Sequence, residues 1–103
     1  MFVKESHSFH RLRKLYEREI SLILYQLTLN YGLPSCSLSY SFLSTKKENL
    51  KVYLIFSQEK EPEKLCELIN KKYSSFVRRE LARTKKFSQI PRLLFLSGQQ
   101  PAV

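Results

Sequence analysis

Residues 36–56 read CSLSYSFLSTKKENLKVYLIF, and this stretch decides the fold. In its first part, apolar residues alternate with serines. Four apolar residues therefore share one face: Cys36, Leu38, Tyr40 and Phe42. Successive side chains of a strand point to opposite faces, so this period of two predicts a half-buried strand. Leu50 to Phe56 alternates in the same way and is rich in β-branched and aromatic residues. The polar link at 44–49 is short, so the two strands should form an antiparallel hairpin.

The segment before the hairpin has the period of a helix. Between Ser8 and Tyr31, apolar residues recur at steps of three and four, which places them on one stripe. They are Phe9, Leu12, Tyr16, Ile20, Ile23, Leu24, Leu27 and Tyr31. Ser8 is the expected N-cap. Gly32 favours the left-handed cap conformation and Pro34 cannot continue a helix, so the helix should end at Tyr31.

The segment after the hairpin predicts a second helix that changes phase. Glu61-Pro62-Glu63 is typical of a helix start. Leu65, Ile69, Tyr73 and Phe76 form one stripe, whereas Val77, Leu81 and Thr84 form another, rotated by about one residue on the helical wheel. Because serine competes for backbone hydrogen bonds, we expect a kink at Ser74 and Ser75. Pro91 then precedes a short third strand, Arg92 to Leu96.

The resulting order is α-β-β-α-(kink)-α-β. A hairpin followed by a helical crossover makes the third strand parallel to the second, which gives a three-stranded mixed sheet. With the helices on one sheet face, the fold class is a two-layer α+β domain. Residues 1–103 are enough for one domain, with 1–7 and 97–103 expected as frayed tails.

The charge balance points to a polyanionic partner. Lys and Arg number 18 against 9 acids, for a net charge of +9 and a pI near 9.8. Nucleic acid is the first candidate and an anionic membrane surface the second. No apolar run reaches the roughly 18 residues of a membrane span, and the first ten residues lack the apolar core of a signal peptide. We therefore expect a cytoplasmic protein with no membrane partner, whose cysteines, Cys36 and Cys66, are reduced.

The sequence offers little for catalysis. Two distant glycines, Gly32 and Gly98, cannot build a phosphate-binding loop. His7 and His10 are spaced to share a metal but sit at a fraying terminus, and neither is placed to activate a cysteine. We therefore expect a non-enzyme with no metal and no cofactor.

Most of the positive charge lies between residues 71 and 92. Eight cations face the single acid Glu80 there, for a net +7 of the whole chain's +9. On one continuous helix they would form two adjacent rows, which can contact successive phosphates. The expected RNA-binding residues are Lys71, Lys72, Arg78, Arg79, Arg83, Lys85, Lys86 and Arg92, joined by Arg11, Lys14 and Arg18 of the first helix. The alternative is a solvated face, although such faces normally mix both signs of charge.

Aromatic residues are expected to contribute little to binding. Most of them fall on core stripes. Tyr53 and Tyr25 alone are candidates for the open side, too few for a stacking platform.

Several strings resemble the ribosome-binding factor A family. Residues 11–24 are similar to that family's first helix, with its basic start and E-I-x-x-I/L-L pattern. Lys51-Val52-Tyr53-Leu54 resembles its K-V-Y-V strand. FVRRELA at 76–82, followed by IPRLLF at 90–95, resembles its most specific signature, F-I-R-x-x-L…(V/I)-P-x-L-x-F. Together these strings span about residues 9 to 96.

The resemblance implies a type II KH-like fold and a factor that is monomeric when free. It also implies binding to the 30S subunit and its 16S rRNA during late maturation and rRNA processing. A generic module that docks an acidic protein partner is the alternative. Three departures stand out. The family's Ala-x-Gly interruption is replaced by Tyr73-Ser74-Ser75, its hairpin Asp-Leu by Lys46-Lys47, and its polar extension after the third strand is almost absent, so contacts of that extension are expected to be missing.

Overall fold

The computed structural model describes residues 6–98. Its elements follow the expected order: α1 (His7–Tyr31), β1 (Cys36–Leu43), β2 (Asn49–Phe56), α2 (Pro62–Leu68), a π-helical turn (Ile69–Tyr73), α3 (Ser74–Arg83) and β3 (Arg92–Ser97). His7 and Ser97, expected in the tails, thus lie in regular elements. Ser6 and Gly98 are ordered beside them, Ser6 as the cap of α1 and Gly98 with its amide donating to the carbonyl of Leu54 at 2.9 Å. The remaining parts of the predicted tails, 1–5 and 99–103, lie outside the described residues.

The sheet has the predicted mixed topology. Its strand order is β1-β2-β3, with β1 antiparallel to β2 and β2 parallel to β3. The helices pack on one face only, which confirms a two-layer α+β arrangement of KH-like type. The core between the layers is formed by buried side chains of α1, the sheet, the π turn and α3, including Tyr16, Ile20, Leu24, Leu27, Leu50, Val52, Leu54, Ile69, Val77, Leu81 and Phe95.

The first strand carries a β-bulge that the alternation did not predict. Leu38 pairs with Leu54 and Tyr40 pairs with Tyr53, so Ser39 is left as the extra residue. After the bulge the faces are exchanged, which buries Ser41 and Leu43 and turns Phe42 out to solvent at 55% exposure. The expectation that Phe42 lies in the core is therefore wrong, and Tyr40 lies on the open face beside Tyr53.

The boundaries of α1 follow its capping chemistry. The N-cap is Ser6 rather than Ser8, because the Ser6 hydroxyl accepts a hydrogen bond from the Phe9 amide at 3.1 Å. At the other end Gly32 adopts φ 73°, and its amide donates to the carbonyl of Thr28 at 3.2 Å. This confirms the predicted glycine cap.

The phase change in the second helical segment comes from a π-helical turn. The turn ends at Tyr73, immediately before Ser74 and Ser75, so the interruption lies about one helical turn earlier than the two serines. A π turn contains an extra residue, which rotates everything that follows. Ile69 and Val77 can therefore both be fully buried although they lie eight residues apart.

The π turn also closes the free edge of the sheet. Asn70 lies within it, and its side-chain amide donates to the carbonyl of Phe95 at 2.9 Å and accepts from the Phe95 amide at 2.7 Å. These two bonds satisfy the outward backbone groups of Phe95 on the edge of β3, which has no further strand beside it within residues 6–98.

The third helix ends earlier than the basic stretch does. Its last residue is Arg83, and Lys85 adopts the left-handed conformation at φ 57°. Residues 84–91 then form the connection to β3. In the described part of the chain, no helix combines the length and the apolar character needed to cross a bilayer.

Candidate nucleic-acid interface

The cations of α1 lie on its solvent side. Arg11, Lys14 and Arg18 are exposed and line a shallow depression of about 530 Å³ together with Leu12 and Leu15. The Lys14 Nζ lies 3.4 Å from a carboxylate oxygen of Glu17. Glu17 is only 15% exposed and also bonds Arg13 and Ser41, whereas the lysine side chain is 56% exposed and faces solvent, where a ligand can reach it.

Two arginines meet at the end of the sheet nearest the hairpin turn. Arg78 and Arg92 line a cleft of about 350 Å³ with Glu48, Asn49 and Gln89. The Arg78 guanidinium donates to the carbonyl of Pro91 at 3.0 Å and to that of Ile90 at 3.3 Å. Arg78 therefore holds the loop before β3 in place.

The two cation rows expected from a continuous helix are not formed as such. The π turn carries Lys71 and Lys72 at a different phase from α3, and Lys85 and Lys86 lie beyond its end. Within α3, Arg79 and Arg83 are one turn apart and exposed. Arg83 bonds Glu80 at 3.0 Å, whereas Arg79 has no ion pair within residues 6–98.

Lys86 joins the loop after α3 to the first helix. Its Nζ lies 3.0 Å from a carboxylate oxygen of Glu19, whose side chain is only 9% exposed. The ring of Phe87 stacks on that of Tyr16 at 4.4 Å between centroids, and the Tyr16 hydroxyl donates to the Gln89 carbonyl at 2.6 Å. Burial raises the pKa of Tyr16, so this hydroxyl remains protonated. Residues 86–89 thus contact the core-facing side of α1, whereas Arg11, Lys14 and Arg18 lie on its solvent side, so this contact does not join the two groups of predicted cations.

Arg13 of α1 is a cation that stabilises the fold. Its side chain is buried against the sheet, where it donates hydrogen bonds to Glu17 at 2.7 Å and to Ser41 at 3.3 Å. Ser41 in turn donates to Glu17. Its guanidinium also lies 5.6 Å from the centroid of the Tyr40 ring. Its position on the apolar stripe of α1, one turn before Glu17, was the available sequence signal.

The open face of the sheet, which no helix covers, differs from the face that the alternation predicted. Because of the bulge at Ser39, this face carries three aromatic residues instead of one. The outward side chains are Tyr40 and Phe42 of β1, Lys51, Tyr53 and Ile55 of β2, and Arg92, Leu94 and Leu96 of β3. The signal for it was Leu43, an apolar residue directly after Phe42 that breaks the alternation.

Neither cysteine has the character of a nucleophile. Cys66 is the buried residue of α2. Burial, together with the nearby Cys36 and Glu63, raises the pKa of its thiol to about 11. Burial also raises the pKa of Cys36. Both are free thiols, and residues 6–98 contain no group of three His, Cys, Asp or Glu side chains able to hold a metal ion.

Comparison with solved structures identifies the architecture. The crystal structure of ribosome-binding factor A from Thermus thermophilus superposes with a TM-score of 0.70 at 22% identity, over 85% of this chain and 93% of that one. The chain has the fold of ribosome-binding factor A. The solution structure of a putative ribosome-binding factor A from Thermotoga maritima gives a TM-score of 0.67 at 23% identity, over 91% and 92% of the two chains.

A third structure with this fold describes a ribosome-binding factor A in complex with a 30S subunit. A homology model of the Thermus thermophilus ribosome-binding factor A, fitted into a cryo-electron microscopy map of its 30S complex, matches with a TM-score of 0.66 at 22% identity, over 88% of this chain and 97% of that one. No protein-family model matches the chain, and no curated protein is significantly similar to it in sequence. At the position of the Ala-x-Gly interruption typical of ribosome-binding factor A, this chain has the end of its π turn.

Proposed function

We propose that this chain is a non-catalytic factor that binds the 30S ribosomal subunit through its 16S rRNA, assists late maturation of the subunit and processing of that rRNA, and acts in the cytoplasm. The observation that carries the proposal is the set of exposed cations on α1, the π turn, α3 and the loop after α3, which we call the basic surface. It is supported by the fold, which the chain shares over most of its length with ribosome-binding factor A.

The contacts of the cations separate those that can bind phosphate from those that stabilise the loop before β3. The exposed cations without an ion pair among residues 6–98 are Arg11, Arg18, Lys71, Lys72, Arg79, Lys85 and Arg92. The Lys72 ammonium lies 5.5 Å from the centroid of the Tyr73 ring. Lys14 and Arg83 are exposed but pair with the less exposed carboxylates of Glu17 and Glu80. Arg78 and Lys86 instead fix the loop to which they belong. Arginine can bind one phosphate through two parallel hydrogen bonds, which suits a surface that must grip a backbone without reading its sequence.

The test is co-sedimentation with 30S subunits. The variant R79E/R83E reverses two adjacent charges of α3 and leaves Lys86 and its contact with Glu19 intact. We expect 30S affinity to fall at least tenfold, because the release of counterions that accompanies each phosphate contact no longer favours binding. The slope of log affinity against log salt should become shallower by roughly 0.7–0.9 for each phosphate that the variant no longer neutralises.

A matched control separates a specific surface from total charge. K60E/K64E changes the net charge equally, on exposed residues at the start of α2. If both double variants lose 30S binding equally, or if R79E/R83E still co-sediments like the unaltered protein, the proposed surface is wrong. Salt-insensitive binding to an acidic protein in place of RNA would favour the docking-module alternative.

The maturation role has its own readout. Sedimentation profiles of a strain lacking the protein should show excess free subunits and unprocessed 16S rRNA, most strongly at low temperature. Normal subunit ratios would contradict the assembly role while leaving subunit binding intact.

A further inference from the structure

The open face of the sheet is apolar at one end. Phe42 is 55% exposed, and Leu94 is 42% exposed, although both belong to strands whose other face is buried. Lys51 pairs with Phe42 on one side and with Leu94 on the other, so the three side chains form one row across the sheet. With Arg92 at its margin, this row lines a concavity of about 340 Å³. We call Phe42, Lys51, Arg92 and Leu94 the sheet platform.

The charge of the sheet platform selects among possible occupants. Its two charged members, Lys51 and Arg92, are both positive, and the three strands, which lie wholly within the described residues, contain no acidic residue. The hairpin turn that adjoins the same end contains Lys46, Lys47 and Glu48 and so adds a net charge of +1. A second copy of the chain, docked face to face, would bring these cations against each other. The platform therefore suits a polyanion that has apolar faces.

Single-stranded nucleic acid has this combination of properties. An unpaired base offers a flat apolar surface for an exposed aromatic ring, and its flanking phosphates offer charge to neighbouring lysine and arginine side chains. Adjacent strands are about 4.8 Å apart, so Phe42 and Leu94 are separated by about 10 Å, which is wide enough to seat one base above the stem of Lys51. The base pairs of a duplex are stacked on one another and cannot lie flat on such a surface.

We propose that the sheet platform binds single-stranded RNA, with an unpaired base stacked on Phe42 and the adjacent phosphates contacted by Lys51 and Arg92. The RNA partner is that of the proposed function, on which this inference rests, and the platform shares only Arg92 with the cations assigned to that function. Tyr53 and Tyr40, whose rings lie 6.2 Å apart between centroids, follow on the same face. Tyr53 lines a depression with Glu63 and Glu67, which is unfavourable to phosphate, so the binding platform ends before it.

The first experiment measures RNA affinity in the full chain. F42A should weaken binding of a short fluorescent oligouridine by about fivefold or more, because each stacked base contributes on that order. Affinity for a blunt-ended RNA duplex of equal length should be unchanged, because it offers no unpaired base. Y25A is the matched control: Tyr25 is a 62% exposed aromatic residue of α1, away from the sheet. It should bind both RNAs like the unaltered protein, and thermal unfolding will show that both variants remain folded.

The second experiment detects stacking itself. The chain contains no tryptophan, so F42W introduces a single indole on the platform. Oligouridine should quench the emission of this indole and retain its affinity, whereas the blunt-ended RNA duplex should leave the emission unchanged. Unaltered oligouridine affinity in F42A, or absence of quenching in F42W, would overturn the proposal.

The remaining outcomes distinguish other occupants of the platform and separate it from the basic surface. Loss of 30S binding in F42A without any change in oligouridine affinity would assign the platform to a protein, and a concentration-dependent mass abolished by F42A would assign it to a second copy. Either result overturns the RNA proposal. If R79E/R83E retains 30S binding while F42W is quenched, the basic surface fails and the sheet platform stands.

Discussion

At the scale of single residues, Lys86 shows that the position of a lysine in a basic stretch does not reveal whether it binds a ligand or stabilises the fold. Lys85 and Lys86 are neighbours in the sequence, but their side chains have different contacts. Lys85 extends into solvent from a left-handed turn, whereas Lys86 reaches Glu19, a carboxylate almost excluded from water. An acid placed that deeply needs a partner, because burial of an unpaired charge is costly.

We therefore expect K86E and K85E to differ in stability although they change the net charge equally. K86E sets two carboxylates against each other and should lower the free energy of unfolding by about 1–2 kcal/mol, between the values for exposed and buried pairs. K85E should stay within about 0.5 kcal/mol of the unaltered protein. Urea unfolding of the three proteins measures this, and equal midpoints for the two variants would refute the assigned role of Lys86.

Ser39, also at the scale of single residues, shows that an alternating sequence cannot predict the position of a β-bulge. The stretch from Cys36 to Phe42 alternates without a break, so its periodicity is equally compatible with a regular strand and with one in which the faces exchange. The exchange is fixed by tertiary contacts: Ser41 is bonded to Arg13 and Glu17, and Leu43 packs in the core. One inserted residue thereby exposes Phe42, on which the sheet platform depends.

At the scale of elements, helix and strand periods predicted each element well, because each buries one face. The change of phase between Phe76 and Val77 was also readable, since two apolar stripes cannot belong to one regular helix. Its location was not, because the serines at 74–75 are permissive, whereas the π turn is stabilised by burial of Ile69 and by the bonds from Asn70 to Phe95.

Deletion of Lys71 tests whether the π turn sets the phase of α3. Without the extra residue the segment can become a regular helix in which Ile69 and Val77, then seven residues apart, still share one face, so α3 keeps its contacts with the core. We expect the deletion to cost less than about 2 kcal/mol of unfolding free energy, below the cost of truncating a large core side chain, because it disturbs mainly the turn and the two bonds of Asn70. K71A removes the same charge without removing a residue and should be nearly neutral. Chemical denaturation of the two variants is the measurement, and a loss of more than about 4 kcal/mol in the deletion variant would show that the turn does not act as a one-residue insertion.

At the scale of the whole molecule, composition predicted a basic domain, while the fold determined which cations adjoin. Arg11, Lys14 and Arg18 lie on the solvent side of α1, whereas Lys86 contacts Glu19 on the side of α1 that faces the core, so the fold keeps these cations on different sides of the helix. The basic segment, expected as two half-helices joined by a kink at Ser74 and Ser75, is a π turn, a short helix and a loop. Its cations therefore do not form a straight row.

The same charge should give stability and RNA binding opposite responses to salt. At a net charge of +9 the folded chain repels itself, so raising sodium chloride from low to physiological concentration should raise its melting temperature by screening. The same addition should weaken its affinity for RNA, because the release of counterions on binding is then less favourable. Calorimetry and anisotropy titrations across one salt series measure both.

The variant R79E/R83E provides the control for this prediction, since it lowers the net charge from +9 to +5. Its melting temperature should rise less steeply with salt, because the remaining self-repulsion is smaller, and its RNA affinity should depend less on salt. Chloride is the appropriate anion, because sulfate would also strengthen apolar burial and hide the screening effect. A melting temperature independent of salt, or identical salt slopes for the two proteins, would show that the positive charge is dispersed too widely to act as one surface.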